Sequence, residues 1–385
     1  MTIYLDNNAT TRLAPEALEA MLPYLGDLYG NAGSAHVLGR LAEGAVVHAR
    51  DQLARLLGCQ GAELVFNSGG TEGLNHAIRG VFEALPLKRH FITTAVEHSA
   101  VLALGDWLKR QGVGVTVLGV DGQGRLDLAE LEAALRPDTA LVSVMAANNE
   151  TGVLFPLEEV ARIVKGHGAL LHVDATQAVG KVPLDLASLP VDLLNLSGHK
   201  LHGPKGTGAL FLRRSLRLRP FVVGGGQERG RRGGTENVPG VVGLGKAAEL
   251  AREAMGGQDR VRALRDGFEA FLLERIPGVS INGGAAPRLP NTSMASFEGV
   301  EGEALLLRLS DAGICVSTGS ACSTGQKEPS HVLRAMGTAP ALAMGTVRFS
   351  LSRYTTAEEL QAVEALLPEV VAGLRASGPM GRRKI

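Results

Sequence analysis

The stretch Leu170-Leu-His-Val-Asp174-Ala-Thr-Gln177 begins as a short apolar run and ends on polar residues. Runs of this kind recur between about residues 45 and 255 and alternate with helical patterns. Strands are predicted at Glu63–Phe66, His90–Thr94, Val113–Leu118, Leu141–Met145, Leu170–Val173, Leu193–Leu196 and Gly208–Leu212. Helices between them include Ala42–Leu57, Thr71–Phe82, Ala100–Gln111 and Leu157–Gly166. This alternation predicts an α/β fold with a large, mostly parallel sheet covered by helices on both faces.

The pattern changes after the glycine-rich segment Gly224–Gly234, which we interpret as a mobile or interface loop. The remaining elements are predicted at Val241–Glu253, Ala263–Arg275, Asn291–Phe297, Glu303–Ala312 and Val347–Leu351. The order of strand, helix and strand at the end of this series is typical of an α+β unit. We therefore expect a large domain over residues 15–255, and a small domain formed by residues 1–14 and 256–385.

The composition is that of an ordinary globular protein. Of the 385 residues, 45% are hydrophobic and 20% are charged, and the formal net charge of +0 gives no overall attraction to nucleic acid or membrane. Three cysteines are too few for a disulfide framework. The N-terminus has no pattern of a signal peptide, and no stretch approaches the ~20 apolar residues of a membrane span. We expect a cytoplasmic protein that binds neither nucleic acid nor membrane.

Two glycine-containing turns follow predicted strands and carry polar side chains. In Phe66-Asn-Ser-Gly-Gly-Thr-Glu72 a helix begins near Thr71, so its N–H groups form an anion site or a plain capped turn. In Asn195–Gly208 the amine of Lys200 is crowded by two histidines and a second lysine. A partly buried, cationic setting lowers the pKa of an amine enough for a Schiff base, whereas a solvated loop is the alternative. Ser197 and His199 could hold a phosphate beside it.

Three further polar residues follow predicted strands. Asp174 ends an apolar run, where a protonated pyridine nitrogen, a metal or a salt bridge would have to balance its charge. His98 is placed either to stack on a flat cofactor and move protons or to play a structural part. Asn149 follows Leu141–Met145. Because ligands gather at the carboxyl ends of strands in open α/β sheets, we expect these segments to share one site.

The last two candidates lie near the C-terminus. Cys322 is surrounded by small residues in Val316–Lys327, which predicts an exposed and reactive thiol, whereas Cys59 and Cys315 have apolar neighbours and are predicted to be inert. No Cys-x-x-Cys or His-Glu-x-x-His pattern indicates zinc. Arg348 alternates with apolar residues, and either faces solvent or binds a substrate carboxylate through two hydrogen bonds.

Together these segments resemble cysteine desulfurases, within the class V aminotransferase-like enzymes that use pyridoxal 5'-phosphate (PLP). The resemblance extends over nearly the whole chain and rests on Tyr4–Thr11, Gly30–His36, Ser68–Glu72, Glu97-His98, Asn148–Gly152, Val173–Gln177, Ser197–Lys200, Ser317–Cys322 and Val347–Ser352. The Cys322 loop resembles that of the nitrogenase-maturation and housekeeping iron–sulfur type. Gly224–Asn237 looks like the nitrogenase-associated branch.

The resemblance implies a PLP-dependent transferase fold of type I and a set of residue roles. Lys200 holds PLP as a Schiff base, Asp174 pairs with the pyridinium nitrogen, and His98 stacks on the ring and moves protons. Gln177 bonds to the ring hydroxyl, and Asn149 and Arg348 hold the substrate carboxylate. The residues implied to bind phosphate are Gly70, Thr71, Ser197, His199 and, from the partner subunit of a homodimer, Thr235.

The implied reaction converts L-cysteine to L-alanine and leaves the sulfur as a persulfide on Cys322. The resemblance also implies an iron–sulfur scaffold protein as acceptor and a transient iron–sulfur cluster at Cys322 during transfer. An aminotransferase or selenocysteine lyase on the same fold would need no nucleophile at Cys322. A non-catalytic sulfur carrier would have no use for Lys200, Asp174, His98 and Arg348 together.

Overall fold

Short strands alternate with longer helices along most of the chain. The structure, a computed structural model, describes residues 2–318 and 328–377. Its strands are β1 (Ile3–Tyr4), β2 (Leu64–Asn67), β3 (His90–Thr94), β4 (Gly114–Leu118), β5 (Thr139–Met145), β6 (Leu170–Asp174), β7 (Leu193–Ser197), β8 (Gly208–Leu212), β9 (Val279–Ile281), β10 (Thr292–Phe297), β11 (Ile314–Cys315), β12 (Ser317–Thr318) and β13 (Thr346–Ser350).

The helices of the described residues range from one turn to more than five turns. They are α1 (Pro15–Leu25), α2 (Val37–Leu57), α3 (Gly70–Ala84), α4 (Ser99–Arg110), α5 (Leu128–Ala134), α6 (Leu157–Gly166), α7 (Gln227–Gly230), α8 (Val238–Glu253), α9 (Gln258–Arg275), α10 (Gly302–Asp311), α11 (His331–Ala335), α12 (Pro340–Ala343) and α13 (Ala357–Ser377). None of these helices combines the length and the hydropathy that crossing a bilayer requires.

The larger sheet has seven strands in the order β2-β8-β7-β6-β5-β3-β4. All of its neighbouring strands are parallel except β8, which runs antiparallel to both β2 and β7. Every residue of β5 and β7 is buried, so these strands read as continuous apolar runs instead of alternating ones. Burial on both faces explains this pattern, because helices cover a parallel sheet on both sides. The predicted α/β class with a mostly parallel sheet is confirmed.

Two apolar clusters pack against this sheet. One joins α2, α6 and α8 through residues such as Leu53, Val160 and Leu244, and the other joins α3 and α4 through Ile78 and Leu104. Burying one such side chain contributes about 1.5–3 kcal/mol. The helices therefore hold the strand ends, and the polar residues that follow them, in fixed relative positions.

A smaller sheet lies in the C-terminal part of the chain. Its strands are all antiparallel, in the order β12-β13-β10-β9, while β1 pairs with β11 in a separate parallel pair. A third apolar cluster belongs to this region and includes Leu5, Phe268 and Phe349. The N-terminal strand thus joins the C-terminal elements. The domain boundaries that we expect from the sequence, 15–255 against 1–14 with 256–385, remain a prediction.

The first residues of the helices differ more from the sequence-based predictions than the strand positions do. Helix α2 begins at Val37 and not at Ala42, because the His36 ring accepts a hydrogen bond from the Gly39 N–H and caps the first turn. Two helices without any prediction, α1 and α13, contain an internal proline, Pro23 and Pro368 respectively. Proline is read as a helix breaker in a sequence, yet tertiary packing keeps both helices continuous.

Candidate active site

The carboxyl ends of the large-sheet strands open into a cavity of about 360 Å³. This volume is within the range of pockets that bind small organic ligands. Ten of the residues singled out in the sequence line it, namely Gly70, Thr71, His98, Asn149, Asp174, Gln177, Ser197, His199, Lys200 and Arg348. The chain therefore brings a cation, a carboxylate and a helix N-terminus to one cavity from segments far apart in sequence.

Lys200 lies on a short 3-10 turn, Gly198–Lys200, directly after β7. The turn needs glycine at its first position, because a Cβ on Gly198 would lie 2.8 Å from Thr207 Oγ1. The lysine Nζ donates to two main-chain carbonyls, those of Asn8 at 2.6 Å and Ala9 at 2.7 Å. Burial, helped by the positive charge of Arg348, lowers the pKa of Lys200 to about 8, against the opposing effect of Asp6 and Asp174. A substantial fraction of this amine is neutral, and hence nucleophilic, near pH 8.

Asp174 ends β6 on the same edge and is only 6% exposed. Its Oδ1 accepts hydrogen bonds from the Thr176 N–H at 3.0 Å and from Asn195 Nδ2 at 3.1 Å, both neutral donors. No salt bridge to Asp174 is found within residues 2–318 and 328–377. A buried carboxylate held in this way is well placed to balance a cationic ligand group in the cavity.

His98 is the N-cap of α4, where its Nδ1 accepts a hydrogen bond from the Ala100 N–H at 3.2 Å. Burial lowers its pKa below the ordinary histidine value, with Lys200 acting in the same direction and Asp174 against it. The preceding residue, Glu97, is fully buried, and burial raises its pKa to about 8. Because its pKa is lowered, the His98 imidazole is neutral at the pH where Lys200 begins to lose its proton.

The opposite end of the cavity suits an anion. Helix α3 starts at Gly70, and its first N–H groups have no acceptor within the helix. Gly69 has a left-handed φ of 133°, and a Cβ there would lie 3.5 Å from Ser197 Oγ, so the turn passes close to the end of β7. His199 Nδ1 lies 3.1 Å from Thr10 Oγ1. Burial and the neighbouring lysines lower the pKa of His199 to about 4, which leaves a neutral ring with a hydrogen to donate.

Arg348 reaches the cavity from β13 of the small sheet and is buried, so the alternative of a solvent-facing arginine is wrong. Its Nη2 donates to Asp6 Oδ1 at 2.8 Å and its Nη1 to the Asn149 carbonyl at 2.9 Å. Its Nε is buried without a hydrogen-bond partner among the described residues. A guanidinium with an unused N–H can bind a further carboxylate.

Comparison with known proteins agrees with this geometry. The family model for class-V aminotransferases matches residues 3–363. Cysteine desulfurase 2 of Trichormus variabilis is 56% identical over 98% of this chain and 95% of its own length. Cysteine desulfurase NifS of Azotobacter vinelandii is 50% identical over 98% and 94% of the two chains. The chain belongs to the cysteine desulfurases of the class-V aminotransferase family.

Solved structures of similar proteins indicate the same family. A structure titled NifS-like protein has a TM-score of 0.91 with 41% identity, and covers 97% of this chain and 100% of its own. Another, titled SspA in complex with cysteine, has a TM-score of 0.82 with 36% identity, and covers 92% of this chain and 100% of its own. The likeness spans both sheets, so the type I fold of PLP-dependent transferases is shown for this cysteine desulfurase family member.

Among the described residues, one predicted site residue, Thr235, is absent from the lining of this cavity. Thr235 is exposed and lies beyond the glycine-rich segment. That segment is held to α2 by a buried ion pair of Arg50 and Glu228, 2.7 Å apart, and to α3 by a second pair of Arg232 and Glu72 at 2.9 Å. The prediction that Thr235 serves a partner subunit stays open, because it concerns an assembly.

Cys322 lies outside the described residues, so its predicted role is not addressed by the structure. Of the other two cysteines, both half-buried, Cys59 has a pKa that burial raises to about 12, which makes its thiol a poor nucleophile. In residues 2–318 and 328–377 no three His, Cys, Asp or Glu side chains form a group that could hold a metal ion.

Sequence reasoning used the N-terminal segment Tyr4–Thr11 for the family resemblance but assigned no site role to Asn8. The Asn8 carbonyl accepts from Lys200 and Gln177, and its Nδ2 donates to the Asn149 carbonyl at 3.1 Å and to Thr292 Oγ1 at 2.9 Å. The residue is 1% exposed. The only signal in the sequence is the pair of asparagines after a short apolar run, which is equally typical of a surface turn.

Proposed function

We propose that the protein is a PLP-dependent cysteine desulfurase that converts L-cysteine to L-alanine and receives the sulfur on Cys322. The observation that carries the proposal is the single cavity lined by Lys200, Asp174 and His98 at the carboxyl ends of the strands. Burial lowers the pKa of Lys200, and the lysine shares the cavity with a buried carboxylate. Such shifted pKa values are typical of catalytic sites and are not required for binding alone. The names of the relatives support the same reaction.

The residues of the cavity fit PLP. Asp174 offers a buried carboxylate to the ring nitrogen, and its bonded partners, Thr176 and Asn195, leave it without a cation. The N-terminus of α3 and Ser197 offer neutral donors to a phosphate. Gln177 contributes an amide to the ring oxygen. When bound, PLP supplies a ring that withdraws electrons from the Cα–H bond of an amino acid.

Lys200 is the residue that we propose to hold the cofactor and to move the proton at Cα. With a pKa of about 8 its amine gives up and regains a proton near neutral pH at little energetic cost. His98 lies against the same space and is neutral, so it can stack on the ring and pass a proton onward. Arg348 and Asn149 line the same cavity and bind the substrate carboxylate.

Cys322 is proposed as the nucleophile. Its thiolate attacks the sulfur of the substrate, an S–S bond forms on Cys322, and the Cβ–S bond breaks. The electron pair of that bond stays with the carbon, which takes up a proton and leaves as the methyl group of alanine. The persulfide on Cys322 then passes to an acceptor, for which we propose an iron–sulfur scaffold protein, with a transient cluster at Cys322 during transfer.

The remaining proposals concern the setting. We propose a homodimer in which Thr235 of one subunit adds a donor to the phosphate site of the other. The physiological role is iron–sulfur maturation, either for nitrogenase or in general, and the compartment is the cytoplasm. A relative titled SspA in complex with cysteine supports cysteine as the substrate.

The test measures alanine and sulfide release from L-cysteine by the purified, yellow protein and by Cys322→Ala. We expect the variant to keep its colour and lose turnover, because the cofactor site is intact and the sulfur acceptor is gone. Cys59→Ala is the matched control and should keep full activity. Equal activity of Cys322→Ala would instead favour a lyase that forms no protein persulfide, and a colourless protein without turnover would contradict the proposal altogether.

A further inference from the structure

Lys181 is a buried cation next to the cavity that the proposed reaction does not use. It follows Gly180, whose φ of 77° ends the turn after β6. Its Nζ donates to Gln177 Oε1 at 2.7 Å and lies 3.4 Å from Asn8 Oδ1. The charged groups that act on it are Lys200 and Arg348, both cations, and together with burial they lower its pKa to about 7. Burying a lysine amine without a carboxylate partner costs free energy of desolvation, which packing alone does not explain.

The hydrogen bonds around Gln177 have only one consistent arrangement. Its Nε2 donates to the Asn8 carbonyl at 2.9 Å, and a carbonyl can only accept. Its Oε1 accepts from Lys181 at the other end of the amide. A flipped amide would place its NH2 group against the amine and its oxygen against the carbonyl, losing both bonds. Lys181 and Asn8 thus fix which atom of Gln177 is the donor.

Asn8 ties this arrangement to Lys200. Its carbonyl accepts from Gln177 Nε2 and also from Lys200 Nζ at 2.6 Å. Its side-chain oxygen accepts from Asn291 Nδ2 at 3.1 Å and faces Lys181. Buried hydrogen-bonded networks of this kind reinforce one another, so removal of one donor affects the others.

We propose that Lys181 is a positioning residue for the reaction: it holds the Gln177 amide so that the nitrogen serves as the donor to the ring oxygen of the bound cofactor. This inference rests on the proposed function, since it needs PLP in the cavity. Lys181 and Lys200 lie close together, and after burial the charge of Lys200 contributes to lowering the pKa of Lys181 to about 7. A donor held toward the ring oxygen weakens the hold on the proton at the Lys200 nitrogen.

A second lysine provides a matched control. Lys165 lies in α6 and donates to both oxygens of Asp192, at 2.9 and 2.8 Å, away from the cavity. Replacing it by methionine removes a partly buried ion pair between α6 and the residue before β7, without touching Gln177 or Asn8. A role of Lys181 limited to stability would make the two lysines equivalent in any measurement at the cofactor.

The experiment titrates the visible absorbance of the holoenzyme against pH, which reports the proton on the Lys200 nitrogen. The charged groups that act on this nitrogen are Arg348, Asp6 and Asp174, and the titratable groups on which it acts are Lys181, His98 and His199. Loss of Lys181 frees the Gln177 amide, so the ring oxygen loses a fixed donor and the proton is held more tightly. We expect Lys181→Met to raise the midpoint by about 0.5 to 1 pH unit, equivalent to a three- to tenfold change in proton affinity.

Three companion variants sharpen the result. Lys181→Arg keeps both the donor and the charge, and should return the midpoint to within about 0.3 pH unit of the wild type. Lys165→Met should lower the melting temperature and leave the midpoint unchanged. In a Gln177→Ala variant, adding Lys181→Met should shift the pH midpoint by less than half as much as it does in the wild type. The reason is that the amide held by Lys181 is then already absent.

The proposal is overturned if Lys181→Met leaves the midpoint at the wild-type value, or if Lys165→Met moves it equally. Full additivity with Gln177→Ala also contradicts it, because Lys181 would then act by charge alone. Should Lys181→Met not fold, Lys181→Gln keeps an amide donor without charge, and its midpoint must lie closer to the wild-type value than that of Gln177→Ala. A wild-type protein without a visible band would be a failure of the proposed function and not of this inference.

Discussion

Lysine side chains at the two edges of the large sheet have different kinds of partner. At the amino-terminal edge, Lys165 meets Asp192 at 2.8 Å, and Asp192 also accepts from the Leu171 N–H. At the carboxyl-terminal edge, Lys200 and Lys181 donate to carbonyl and amide oxygens and not to a carboxylate. The lysine at the amino-terminal edge is paired with a carboxylate, which suits a role in stability. The two lysines at the carboxyl-terminal edge have lowered pKa values, and groups with shifted pKa values cluster at functional sites.

The buried acids follow the same division. Asp192 is matched by a cation, whereas Glu97 at the carboxyl-terminal edge accepts only from Thr94 Oγ1 and the Met145 N–H, both at 2.9 Å. Glu97 Oε2 is buried without a hydrogen-bond partner among residues 2–318 and 328–377. With its pKa raised to about 8 by burial, Glu97 is a neutral acid at pH 7.

The largest expected effect is on turnover at the carboxyl-terminal edge. Lys200→Ala should lower the rate of alanine formation by at least about 10³-fold, because the variant loses both the covalent hold on the cofactor and the proton carrier at Cα. Alanine release from L-cysteine under saturating PLP measures it. Lys165→Met is the matched control, and a comparable loss in that variant would erase the distinction between the two edges.

An intermediate effect is expected on stability at the amino-terminal edge. Lys165→Met leaves Asp192, 7% exposed, without its cation, and should lower the free energy of unfolding by about 1–3 kcal/mol. This figure is below that of a fully buried pair, because the lysine side chain is 36% exposed and partly screened by water. Urea unfolding of the apoprotein at pH 7 measures the change. An unchanged midpoint would mean that the pair is structurally dispensable.

The smallest effect is expected for the neutral acid. Glu97→Gln should keep the rate of alanine formation within about twofold of wild type, because glutamine has the shape of a protonated carboxyl and retains the acceptor for Thr94 and Met145. The folded pKa of about 8 exceeds the ordinary glutamate pKa of 4.5, so wild-type stability declines as pH rises between these values.

The pH dependence makes that prediction sharper. The glutamine variant has no proton to bind, so its unfolding free energy relative to wild type should rise from about pH 4.5 to 8 and then level off. Asp192→Asn provides the contrast, since it removes a charge that is paired and should destabilise the protein at pH 7. A relative stability of Glu97→Gln that falls with pH would show that Glu97 is ionised in the folded protein.

The strand positions were predictable because they depend on local pattern. The predicted strands at His90–Thr94 and Gly208–Leu212 coincide with β3 and β8, and the others differ by one or two residues at an end. The polar residues that follow these strands, such as Asp174 and Lys200, were visible for the same reason. Their meeting in one cavity follows from parallel strand order, which brings all carboxyl ends to one edge.

The partners of these residues could not be predicted in the same way. Asp6 pairs with Arg348 across 342 positions, and Asn8 meets Lys200 across 192. Nothing in the local sequence distinguishes these two residues from those of an ordinary polar turn. That Arg348 binds a substrate carboxylate stays a prediction, and its internal partner Asp6 appears only once the N-terminal segment is folded against β13.

The sequence by itself determined the α/β class, the family and most of the polar side chains that line the cavity, because periodicity and motif order are properties of neighbouring residues. Only the tertiary structure decided their protonation and orientation. Burial and the approach of Arg348 set the pKa of Lys200, and the contacts of Asn8 and Lys181 fix the Gln177 amide. The physical reason is that desolvation and hydrogen bonding depend on distances between segments, which no stretch of sequence contains.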